Sequence, residues 1–144
     1  MNKLEELLEE WKSDSVVDRT EPGRALLDIP KLHHKYLTIM SVYKQAIVKA
    51  NAKYAKLKLT KWEYYTGKMD AEQLKAHGWE PFPFILKADV SIYLDGDEDL
   101  LKVIEAKALF QEIISCCESI MKELHSRTFQ LKAFIEYERF IQGA

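Results

Sequence analysis

Eight lysines, Lys31, Lys35, Lys44, Lys49, Lys53, Lys56, Lys58 and Lys61, stand within residues 29–62, a stretch that holds no aspartate or glutamate. The flanks are acidic, at net −4 for residues 1–28 and −6 for residues 63–144, so the chain's net charge of −2 conceals a central block at +8. An ammonium group is a compact point charge suited to phosphate oxygens, and a row of them can track a polyanion backbone without reading its sequence. Solvated helix faces usually mix signs, because opposite charges three or four residues apart support the helix and like charges oppose it. An unbroken run of one sign therefore points to a localised anionic partner, or to acidic segments elsewhere that neutralise it. Trp62, Tyr64 and Tyr65, followed by Lys68, add ring faces on which unpaired bases can stack. Trp62 falls away from the lysines, toward the side expected to pack.

Other chemistries find no support. His33, His34, His77 and His125 lack metal-ligand spacing with one another or with Cys116 and Cys117, so neither metal nor other cofactor is expected. The run Asp95-Gly96-Asp97-Glu98-Asp99 brushes the start of a calcium loop, but Leu100 stands where its glycine belongs and Ala106 where its bidentate glutamate belongs. These acids fit the first turn of a helix, where they complement its dipole. There is no glycine-rich phosphate loop, nucleophile elbow or paired-carboxylate spacing, so no enzymatic activity is expected. The apolar runs are too short for a membrane span, the acidic start is unlike a signal peptide, and adjacent cysteines make a poor disulfide. An intracellular, reduced protein is expected.

The elements that must position the lysines read as all-α, a single helical domain over 1–144. Residues 1–28 form an acidic N-terminal helix and linker, with Leu4, Leu7, Leu8 and Trp11 on one face of a helix from Asn2 to Lys12. The basic helix occupies 29–68, starting near Pro30 with Asp28 as its cap and ending at about Thr66 before Gly67. At 1.5 Å per residue it spans roughly 54 Å. Lys31, Lys35, Lys49, Lys53 and Lys56 fall within an arc of about 60° on it. Leu32, Tyr36, Ile39, Met40, Tyr43, Ile47, Ala50, Tyr54 and Leu57 form a separate core stripe.

Asp70 caps a short helix, Ala71 to His77, that Gly78 closes. An irregular segment follows around 78–95, because prolines 81 and 83 disfavour helix in the residues before them. The alternation of Val90, Ile92 and Leu94 fits one short strand. The C-terminal helix occupies 96–142, starting at Asp95 or Asp97 with Glu98 as a capping-box partner, and packs antiparallel to the basic helix. Its end is apolar on several sides. Phe129, Leu131, Phe134, Ile135, Phe140 and Ile141 are expected to form an oligomerisation element, since such a helix needs more than one neighbour.

At Leu59-Thr60-Lys61 and Glu63-Tyr64-Tyr65-Thr66-Gly67-Lys68 the sequence resembles the UvsY recombination mediator proteins of T-even-like bacteriophages, whose basic helix ends in a similar Tyr-Tyr-x-Gly element. Asp99-Leu100-Leu101-Lys102-Val103, Ile113-Ile114-Ser115-Cys116, Leu4-Glu5-Glu6-Leu7 and Asp14-Ser15-Val16-Val17-Asp18 extend the resemblance along most of the chain. It implies a non-enzymatic mediator in the cytoplasm of an infected bacterial host. Such a protein binds single-stranded DNA, forms a hexameric or heptameric ring, and loads a RecA-like phage recombinase onto DNA covered by the phage single-strand-binding protein. The family's DNA-binding basic residues would fall on Lys61 and Lys58. One basic position lands on Leu59, where Lys58 or Lys56 would substitute.

The charge pattern and the resemblance together nominate Lys49, Lys53, Lys56, Lys58, Lys61, Tyr65 and Lys68 as nucleic-acid-binding residues. The alternative from the residues alone is a helical scaffold or adaptor whose basic helix pairs with acidic protein surfaces.

Overall fold

The computed structural model describes residues 1–143. Asn2 opens α1, Lys3–Asp14, with a capping box: its side chain accepts from the Glu5 amide at 2.9 Å, and its own amide donates to the Glu5 carboxylate at 3.2 Å. Leu7 is the buried residue of this helix, with Leu4 and Trp11 half-buried beside it, while Leu8 stays exposed.

The basic helix, α2, runs Pro22–Tyr65. It starts eight residues before the expected Pro30. Pro22 sits at the first turn, where a missing amide costs nothing, and the Ala25 amide already bonds the Glu21 carbonyl at 3.2 Å. Pro30 therefore lies inside the helix. It forgoes one backbone hydrogen bond there, and the packing of Ile29 and Leu32 against the core offsets that loss. At the far end Gly67 adopts φ 72°, and the Lys68 amide reaches back to the Glu63 carbonyl at 2.9 Å. That left-handed turn is why the Tyr-Tyr-x-Gly element closes the helix there.

Asp70 caps α3, Ala71–His77, through the Gln73 amide at 2.8 Å, and Gly78 (φ 69°) ends it. Residues 79–86 are irregular, as the prolines require, before a short 3-10 turn at Lys87–Asp89. The strand expected across Val90, Ile92 and Leu94 is instead α4, Val90–Asp95. Among the described residues there is no strand for it to pair with. A helix satisfies those backbone groups internally, and only Val90 is buried.

The last helix, α5, runs Glu98–Ile141. Asp97 accepts from the Leu100 amide at 3.0 Å, which makes Asp97 the cap. The third helical position is then Leu100, so Glu98 serves as a first-turn acid and not as a capping-box partner.

The chain divides into two compact units: Met1–Gln45 with the residues from Leu109 onward, and Ala46–Ala108. The long helices α2 and α5 each lend one part to each unit, and within each unit the two parts pack against each other. In the first unit Tyr36, Met40, Ile113, Cys117, Ile120 and Leu124 form the core together with Leu7 of α1. The Tyr43 and Phe110 rings meet at 5.6 Å. Arg127 of α5 is buried there, donating to the Ser15 carbonyl at 3.0 Å with its guanidinium 5.5 Å from the Trp11 ring centroid. In the second unit Ala50, Val90, Leu100 and Val103 are buried, and Tyr54 and Leu57 are half-buried. The stripe read from the sequence on the basic helix is thus the packed one in both units.

Candidate nucleic-acid interface

The lysines of α2 divide into free and bound ones. Within the second unit Lys49, Lys53, Lys56 and Lys58 are all exposed, and among the described residues no carboxylate lies within ion-pairing distance of any of them. Spacings of four and three put Lys49, Lys53 and Lys56 on one face. Lys58 leans toward Tyr54, its ammonium 5.9 Å from the ring centroid. Lys68 is exposed just past the end of the helix, and its ammonium sits 4.2 Å over the Trp62 ring.

Lys61 departs from the expectation. Its side chain is 8% exposed, and its Nζ lies 3.1 Å from Asp97 Oδ2 and 2.8 Å from Asp99 Oδ2, with the Trp79 ring centroid 4.1 Å away. The α5 cap region supplies carboxylates that residues 29–62 lack, and they take this lysine out of reach of solvent. Burial alone would lower the Lys61 pKa, but hydrogen bonds to Asp99 and Asp97 outweigh it and hold it above the ordinary value. Asp97 mirrors this: burial pushes its carboxyl up, yet the Tyr65 hydroxyl, the Leu100 amide and Lys61 bring it below the usual carboxylate range. Lys61 therefore ties α2 to the start of α5, its ammonium engaged by two carboxylates.

Tyr65 is also partly committed. Its hydroxyl donates to Asp97 Oδ2 at 2.6 Å, and its ring lies 4.8 Å from Phe82 and 5.8 Å from Tyr93. Burial, then the Asp97 hydrogen bond, pushes its hydroxyl pKa well up, so it stays a neutral donor. Tyr64 donates to the Glu80 carbonyl at 2.7 Å and meets Trp79 at 5.1 Å and Phe82 at 5.5 Å. These rings hold the irregular segment 79–86 against the end of α2. Beside them lies a groove of about 550 Å³ whose lining includes Trp62, Tyr65, Lys68, Phe82, Phe84 and Lys87.

In the first unit Lys35 is clamped as well, with Asp14 at 2.6 Å and Glu10 at 3.1 Å, so it leaves the outward arc assigned to it, whereas Lys31 and Lys44 stay exposed. Of the C-terminal apolar residues, Phe129, Phe140 and Ile141 are exposed, Phe134 and Ile135 are half-buried, and Leu131 is buried within its own unit. Phe82, Phe84, Lys87, Asp97 and Asp99 were not among the sequence candidates for this region. The Phe-Pro-Phe run was a usable signal for the first two, since large rings fixed between prolines in an irregular segment must either pack or be presented. Among the described residues no three histidine, cysteine or acidic side chains converge as a metal site, and no helix is long and apolar enough to cross a membrane.

The fold is shared with solved structures of a phage recombination mediator. A crystal structure of the bacteriophage T4 recombination mediator protein UvsY in one lattice matches with TM-score 0.79 at 23% identity, covering 94% of this chain and 98% of that one. A second lattice of the same protein matches with TM-score 0.80 at 23% identity, covering 100% of both chains. Residues 10–144 match the family described as "Recombination, repair and ssDNA binding protein UvsY", and the chain belongs to that family. It is also similar to the "Recombination protein uvsY" of Enterobacteria phage T4, with 24% identity over 141 residues and 98% of each chain covered. The family is described by binding and repair, not by a catalysed reaction.

Proposed function

We propose that this chain is a non-enzymatic recombination mediator. It binds single-stranded DNA through Lys49, Lys53, Lys56 and Lys58, with Lys68 at the rim. It promotes loading of a RecA-like recombinase onto DNA held by a single-strand-binding protein, in the cytoplasm of an infected bacterial host. The observation that carries the reading is the face of three exposed ammoniums, Lys49, Lys53 and Lys56, with exposed Lys58 beside Tyr54, none of them paired among the described residues, on a stretch without a single acid. Family membership supports the DNA partner, and the T4 relative's description as a recombination mediator supports the mediator role.

One protomer with four phosphate contacts binds a flexible strand weakly. A ring of six or seven copies multiplies those contacts through effective concentration and gives tight but salt-sensitive binding. The exposed Phe129, Phe140 and Ile141, with half-buried Phe134 and Ile135, are the apolar surface we assign to assembly. Wrapping the strand around such an assembly would distort it, weaken the grip of the incumbent protein and open bases to the recombinase.

The test is a Lys49→Ala/Lys53→Ala/Lys56→Ala/Lys58→Ala variant titrated with a dT oligomer at several salt concentrations. Four phosphate contacts give a log–log salt slope near −2.8 per protomer, and the variant should lose most of that slope along with its affinity. Unchanged affinity and slope would overturn the assignment. Indifference of the parent chain to oligonucleotides would favour the scaffold reading, in which these lysines meet acidic protein surface.

A further inference from the structure

We infer that the groove beside the end of α2 is a stacking site for one base of the bound single strand, with Phe84 as its platform. This rests on the DNA-binding reading above and adds a contact that phosphate tracking does not need. Phe84 is 93% exposed, a rare state for so large an apolar ring, and no aromatic partner lies against it among the described residues. It is not on a loose tip. Pro81 and Pro83 restrict the backbone, Phe82 is wedged among Tyr64, Tyr65 and Tyr93, and the Tyr64 hydroxyl pins the Glu80 carbonyl. The ring is therefore presented at little ordering cost.

The groove's charge argues for the occupant. Its lining contains Lys68 and Lys87 and no aspartate or glutamate. An apolar peptide would gain nothing from two ammoniums at the rim, and a cationic one would be repelled. A nucleotide suits both features, its base against the ring of Phe84 and its flanking phosphates near the lysines. Because every base has a π-face, the site would be tolerant of sequence, as a mediator requires.

The experiment compares a dT oligomer with a strand of equal length carrying abasic sites, using the full chain. The parent chain should bind the dT strand about five- to tenfold more tightly than the abasic one, the lower end of what one stacked base contributes. Phe84→Ala should abolish that preference while keeping the salt slope, and Phe84→Trp should restore it. Since the side chain is exposed, neither variant should alter folding. Equal binding of both strands by the parent overturns the inference and spares the lysine assignment. So does a Phe84→Ala variant that still prefers the dT strand, including one whose assembled mass drops, which would make the groove a contact between copies of this chain. If neither strand binds, the DNA reading itself fails and takes this one with it.

Discussion

Two quartets of side chains in the molecule use the same parts in different surroundings. In the first unit Asp14 Oδ2 accepts from the Tyr36 hydroxyl at 2.7 Å and from Lys35 at 2.6 Å, and Lys35 also reaches Glu10. In the second unit Asp97 Oδ2 accepts from the Tyr65 hydroxyl at 2.6 Å and from Lys61 at 3.1 Å, and Lys61 also reaches Asp99. Each time α2 supplies a lysine and a tyrosine, and another helix or its cap supplies two acids. The first lysine–aspartate pair is 39% and 23% exposed, the second 8% and 3%. Water screens the first pair and can replace a lost partner. In the second pair a missing partner leaves a charge that solvent cannot reach.

The contrast sets an order of expected effects. Lys61→Ala should cost about 3 kcal/mol by urea denaturation, the lower range for breaking a buried pair from one side. A cost below about 1 kcal/mol, the range of an exposed pair, would mean that the two quartets do not differ. A DNA-binding defect in that variant would come with lost stability, whereas the four-lysine variant should bind poorly while remaining fully folded.

Acid titration gives a second separation. The Asp14 carboxyl, like that of Asp97, is held below its ordinary value of 3.8: burial raises it, but the Lys35 and Tyr36 hydrogen bonds and nearby cations outweigh that. A carboxylate whose folded pKa is depressed contributes stability above its unfolded value, and that contribution is lost as pH falls through the folded one. Stability should therefore decline as pH drops below about 3.8, a limb that Asp97→Asn flattens more than Asp14→Asn does. Equal flattening would erase the distinction. The smallest effect is expected for Lys35→Ala, about 0.5–1 kcal/mol and reduced by salt, as for other accessible ion pairs.

This contrast also marks what a linear reading of the chain can reach. The core stripe of α2 follows from the 3.6-residue period, and the end of that helix at Gly67 follows from the need for a positive φ, so both were legible. The lysine count was legible too, but its division was not. Whether Lys61 faces a phosphate or an aspartate depends on carboxylates 36 and 38 positions away, brought in by the cap of α5. Local periodicity carries no trace of such a meeting. The helical start at Pro22 and the helix at Val90–Asp95 were missed for a related reason. Proline and alternation rules describe isolated segments, while packing of Ile29 and the lack of a pairing strand among the described residues decided the outcome.

Arg127 has a bearing on how shortened versions of this chain would behave. Its guanidinium, sheltered by the Trp11 indole, has the Ser15 carbonyl as its acceptor. Deleting the first fifteen residues would remove both partners of Arg127 and strip Leu7 and Trp11 from the core at one stroke. The acidic leading helix is therefore structural masonry and not a detachable appendage, so truncations there would report on folding before they could say anything about DNA.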